Sequence, residues 1–157
     1  MVPPIAEQLS LPSSYGSPDR LLDWLSVEQR LVDSPHYWLA TVRRNGAPHV
    51  VPVDGIWLDG GCYFGGDPET VQPAPRSTRH AAPGGRGIGG HCRWHRRVDD
   101  AIENVAQRLV RASTAKYGYS QSAASYLAGA WRLQPVKVLA WTMLYVDATR
   151  FHFEAAV

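Results

Sequence analysis

"YWLATVRRNGAPHVVPVDGIWLDGGCYFGGDPET", residues 37–70, alternates with a period of two and carries its own turn signals. A strand over 37–43 leads into Asn45-Gly46, a pair that tolerates the positive φ angles a tight hairpin demands. A second strand follows over 49–58, then Asp59-Gly60-Gly61 as another turn, then a short strand over 62–65. Three antiparallel strands joined by short turns form a meander, which needs further strands to close or cover its edges. Pro52 falls inside the second strand, and proline donates nothing to a ladder. That position implies a sheet edge, a bulge, or a place where a ligand takes over from a neighbouring strand.

Upstream, residues 1–16 are rich in Pro and Ser and read as a loosely attached arm, leaving a single domain over 17–157. Ser17 as N-cap, Pro18 at the first helical position and Asp19 near the positive helix end predict a helix over 18–32, stopped near Pro35. Leu21, Leu22, Trp24, Leu25, Val27 and Leu31 give it an apolar stripe. Downstream, the strand pattern disappears after Gly66 until about Val98. "VDDAIENVAQRLVRAS", residues 98–113, fits either a short strand or a helix through Ile102, Val105 and Leu109. "SQSAASYLAGA" predicts a helix with Ser120 as its cap and Gly129 near its end. Val136, Val138, Ala140 and Thr142 alternate with Lys137, Leu139, Trp141 and Met143 as one strand, and 150–154 is another. This order suits a small antiparallel β-barrel with helices packed outside it, a mainly β, α+β class.

A chain of 157 residues buries enough surface for one proper core and leaves little for a second domain. An apolar fraction of 45% with 19% charged residues excludes wholesale disorder, and six Trp with seven Tyr suggest ring-lined packing or a ring-lined pocket. The net charge of +2 hides an asymmetry: residues 75–97 hold six of the sixteen basic residues and none of the fourteen acidic ones. A nucleic-acid binder spreads its cations over a face, so an excess confined to one segment argues against that class. Cys62 and Cys92 make no disulfide framework, and "MVPPIAEQLS" has neither a basic leader nor an apolar core, so a cytoplasmic location with reduced thiols is expected. No run approaches the roughly 18 apolar residues of a membrane span.

Residues 37–70 resemble the opening of the pyridoxamine 5'-phosphate oxidase-like family, where an LATVR, DG, PHV, PV hairpin precedes a W, DG, YF segment and a polar turn. "WRLQPVKVLAWT" followed by "DATRF" resembles the end of such proteins, particularly an actinobacterial-type branch that uses FMN or a deazaflavin coenzyme. The two blocks, 37–70 and less tightly 112–153, cover nearly half the chain. The resemblance implies a six-stranded-type split β-barrel, a homodimer with cofactor sites at the interface, and FMN or a deazaflavin as cofactor. It also implies that Val50, Pro52, Val53 and Asp54 wall the ring, and that Gly65, Gly66 and Thr70 cradle ribityl or phosphate oxygens. Trp131 or Trp141, from a second subunit, would cover the ring. These residue types suit a flavin, which needs a flat apolar face, backbone donors along the ring edge and a polar or cationic end for phosphate.

"PRSTRHAAPGGRGIGGHCRWHRR", residues 75–97, breaks the resemblance. Related proteins carry here a phosphate-binding Lys or Arg and an apolar strand, whereas Gln72 stands near the basic position and no apolar alternation follows. His91, Cys92 and His95 are too few for a structural zinc site, and "GGRGIGG" lacks the Lys-Ser/Thr of a phosphate loop. So abrupt a change over 73–97 is what a shifted reading frame in GC-rich DNA produces, with a second shift restoring the frame. On that hypothesis one barrel strand is lost or weak, and Arg76 and Arg79 are the remaining phosphate contacts.

The expected activity is hydride transfer to or from a small conjugated substrate. The alternative is a non-catalytic or degenerate dimeric protein that keeps the fold. Asp54, Tyr63 and Lys116 are polar groups within reach of such a ring, but each also has an ordinary structural or surface role, so the catalytic acid or base is left unassigned, and no metal is expected.

Overall fold

The computed structural model describes residues 3–43, 45–65, 79–83, 88–96 and 102–154, with 79–83, 88–96 and Ile102 described by backbone alone. The hairpin of the opening motif forms β2 (Tyr37–Val42) and β3 (Pro48–Val53), with Tyr37 opposite Val53 and Val42 opposite Pro48. Its turn holds Gly46 at φ +84°, and Asn45 Oδ1 accepts from the Ala47 N–H. The second expected strand is broken: β4 (Ile56–Leu58) is a separate element that, among the described residues, pairs with β5 (Gly61–Phe64) alone. The break falls at Gly55, packed so tightly that a Cβ there would lie 2.7 Å from the Tyr37 ring and 3.0 Å from Cys62 Sγ.

Two strands run through the stretch expected to be irregular. β6 (Arg79–Pro83) pairs with β2, and β7 (Ile88–Arg96) pairs with β6 and along the whole of β8 (Trp131–Ala140). Ladder bonds are made by backbone groups, so a glycine-rich segment lying between two well-patterned strands satisfies them without an apolar alternation of its own. β8 is the strand where the sheet divides. Its first half pairs with β5, and its second half pairs with β9 (Thr149–His152), which pairs in turn with β1 (Ile5–Gln8). The β7 ladder skips Val136, a bulge beside Pro135, and the Val136 carbonyl accepts the Phe153 N–H at 3.0 Å instead. The longest path through the antiparallel sheet is β1-β9-β8-β7-β6-β2-β3. Ile5–Gln8, inside the expected loose arm, is thus part of the sheet.

α1 (Trp24–Asp33) starts six residues later than its sequence signals suggest. The Asp19 N–H donates to the Val146 carbonyl and the Leu22 N–H to Thr149 Oγ1, which holds 19–22 out of the helix, and Asp23 caps Ser26 instead. Trp24, Val27 and Leu31 then enter the main core with Tyr37, Leu39, Trp57, Phe64, Trp131, Leu133 and Phe151. Trp24 meets Phe151 and Phe153 edge-on, at 5.2 and 5.0 Å between ring centroids. The ambiguous segment after Val98 resolves as α2 (Ile102–Tyr117), followed by α3 (Ala123–Gly129), whose cap is Ser122 rather than Ser120. Ala106 and Leu109 of α2 and Tyr126 of α3 cover Ile56 and Tyr63 in a second, smaller core. A short α4 (Leu144–Asp147) joins β8 to β9. Among the described residues, no helix is long and apolar enough to cross a membrane.

Candidate functional site

The β2–β3 hairpin has two unlike faces. Tyr37, Leu39, Val51 and Val53 turn toward the core. On the other face the register sets Trp38 against Pro52, Ala40 against Val50 and Val42 against Pro48, so every position there is apolar. Trp38 is 46% exposed, Val42 44% and Val50 55%. A contiguous exposed apolar plate at a sheet edge marks a surface that something covers. Among the described residues β3 lies at the end of the strand order, the edge that Pro52 implies.

The plate ends in a titratable cluster. Beyond the Tyr37–Val53 pair come His36 and Asp54, and His36 Nδ1 lies 3.2 Å from Asp54 Oδ1. The Tyr119 hydroxyl, from the α2–α3 connector, donates to Asp54 Oδ2, and this carboxylate pushes the phenol pKa up. Behind them the Gly55 carbonyl accepts from Lys116 Nζ at 3.1 Å and Tyr117 Oη at 2.8 Å. Desolvation draws the Lys116 ammonium below its ordinary range, while its Nζ sits 4.9 Å from the centroid of the Tyr37 ring. Burial, with Asp54 nearby, pushes the Tyr117 phenol up to about 12.

Val50 and Pro52 share the plate side and Asp54 follows β3 at the end of the hairpin, but Val53 packs against the main core, because adjacent strand residues point to opposite faces. Gly65 closes β5 against the α2–α3 connector: a Cβ there would meet the Gln121 carboxamide at 2.5–2.8 Å. Gly66, Thr70, Gln72 and Arg76 lie outside the described residues, and Arg79 opens β6, where the backbone alone is described. Sequence reasoning missed Trp38. The signal was available, since the Asn45-Gly46 turn fixes a register that carries Trp38 to the face of Pro52.

No known family profile matches the chain, and no curated protein matches its sequence. Solved structures do. A candidate 5-nitroimidazole antibiotic resistance protein from Bacteroides thetaiotaomicron superposes with a TM-score of 0.57 at 9% identity, over 93% of this chain and 88% of its own. The FAD binding protein from Mycobacterium smegmatis gives 0.54 at 13% identity, over 84% and 97%. General Stress Protein 26 from Bacillus anthracis gives 0.51 at 14%, over 74% and 92%. The fold is the split β-barrel of pyridoxamine 5'-phosphate oxidase-like proteins.

In this split barrel the two tryptophans expected to cover a ring sit elsewhere within their own chain. Trp131 is enclosed in the main core, 4% exposed, and half-buried Trp141 follows β8, its carbonyl accepting from Arg30 at 3.4 Å. Tyr63 faces the second core under α2, where burial raises its pKa, so it does not share the face of the plate. Among the described residues, no group of three or more His, Cys, Asp or Glu is placed to hold a metal.

Proposed function

We propose that this split barrel binds FMN or a deazaflavin against the outer face of β2–β3 and acts as an oxidoreductase on a small conjugated substrate. The observation that carries the reading is the exposed plate of Trp38, Val50 and Pro52 on the β3 edge. A planar ring needs a flat apolar wall of this kind, and burying it there removes surface that water otherwise wets, at about 25 cal/mol per Å². An edge strand offers unpaired backbone groups to the polar rim of such a ring, and Pro52, having no N–H, would interrupt their row. The likeness in fold to a protein described as FAD-binding adds support at the level of architecture.

The bound cofactor would supply two-electron hydride chemistry. The chain's own part is to hold the ring on the plate, keep water from one face and present polar groups at the end nearest Asp54. A second copy packed over the plate would shield the other face, which is why we read the protein as a homodimer. The alternative is a dimer that keeps the fold without the chemistry, and the Gly- and Arg-rich sequence at the expected phosphate clamp favours it.

Titration of purified protein with FMN, and in parallel with a deazaflavin, separates the two. Saturable quenching of cofactor fluorescence is the expected result, and the coenzyme that binds more tightly identifies the class. Absence of binding to either would leave the non-catalytic reading.

A further inference from the structure

We propose that His36 is the proton donor of this site, with Asp54 and Tyr119 as the residues that position it. The inference rests on the flavin-type reading above. His36 immediately precedes β2 and Asp54 immediately follows β3, so the Tyr37–Val53 pair brings both to the same end of the hairpin that carries the exposed plate. An ionised carboxylate only accepts hydrogen bonds, so His36 must carry its hydrogen on Nδ1 to make the 3.2 Å contact with Asp54 Oδ1. That leaves Nε2, which makes no hydrogen bond among the described residues, as the atom that takes up and releases a proton. The other Asp54 oxygen is occupied by the Tyr119 hydroxyl, and the Ser113 hydroxyl donates to the Tyr119 carbonyl, holding the connector in place. Side chains from three separate segments, His36, Asp54 and Tyr119, thus meet at the Asp54 carboxylate. A carboxylate behind an imidazole fixes its tautomer and orientation, as base–orienter pairs do in hydrolytic sites.

The chemistry such a group completes is the reduction of a carbon–carbon double bond conjugated to a carbonyl. The β-carbon of the enone gains a hydride from the reduced cofactor, and the π pair moves to leave an enolate. The α-carbon then takes the proton from His36 Nε2. The substrate gains two electrons and two hydrogens, the cofactor loses two electrons, and the neutral imidazole recovers its proton from water. Lys116 stands nearby, with its ammonium donating to the Gly55 carbonyl and set over the ring of the core-facing Tyr37.

Two measurements test the proposal. Nitrogen-15 NMR of the full-length protein without cofactor should show neutral His36 as the Nδ1–H tautomer, shifting in Asp54→Asn toward the Nε2–H tautomer that unconstrained histidine favours. Tyr119→Phe should produce part of that shift. An Nε2–H tautomer in the unmodified protein would overturn the proposal. With FMN bound and reduced, a methylcyclohexenone bearing its methyl on the α-carbon should give one product enantiomer in excess. His36→Gln, with FMN affinity retained, should lose most of that excess and slow turnover by at least about tenfold. Bound FMN with the same excess in His36→Gln would sink the proton donor alone, whereas failure of FMN to bind would sink the cofactor reading with it.

Discussion

Asp147 is fully enclosed, and burial by itself pushes its carboxyl pKa up. Hydrogen bonds from the Thr142 hydroxyl and the backbone N–H groups of Met143 and Thr142, with Arg20 at 3.5 Å, more than offset this and hold it below the usual carboxylate range. Because the folded value is depressed, this contribution to stability is complete above the ordinary carboxylate pKa and is lost as pH falls through the folded one. Asp147→Asn should therefore cost roughly 2 kcal/mol in urea unfolding at neutral pH, with the deficit shrinking in acid. Gly55 gives a second test. A methyl group there would press on Tyr37 and Cys62, so Gly55→Ala should lose about 1–3 kcal/mol by overpacking, read from the same urea curves. Neither residue was legible from sequence as critical, since nothing near Asp147 in the chain foretells its enclosure, and Gly55 was read as part of a strand.

At the scale of elements, the β2–β3 hairpin was legible because its period and its turn agree. The start of α1 was not, because tertiary bonds from residues 19 and 22 to the α4–β9 region outweigh the cap signals at 17–19. β1 was missed since four residues at an edge carry no period. Glu7 fastens it by accepting from Arg150 at 2.7 Å and pairing with His152 at 2.8 Å, and these contacts lower its pKa. Docking of β1 should then weaken as pH falls through the Glu7 carboxyl value. Glu7→Gln should reproduce the weakening at neutral pH, as faster hydrogen exchange confined to residues 5–8. β6 and β7 occupy their places by backbone pairing, although their Arg- and Gly-rich sequence lacks the apolar alternation of their neighbours. Under the frame-shift hypothesis, the coding DNA over 73–97 reads in another frame as an apolar strand. If no frame does, the segment is native as written.

Over the whole molecule, the exposed plate and the edge position of β3 together call for a cover, and the proposed cover is a second copy. Trp38→Glu should turn a dimer into a monomer in analytical ultracentrifugation while leaving the fold intact, because Trp38 points away from the core. An unmodified protein that sediments as a monomer would count against the shared site. The central claim is that a flavin-type ring lies on Trp38, Val50 and Pro52, and FMN titration of the unmodified protein beside Val50→Glu tests it most directly. Saturable binding with at least about tenfold loss in the variant, about 1.4 kcal/mol, is the predicted result. Equal affinity in the two proteins, or no saturation in the unmodified one, would contradict it.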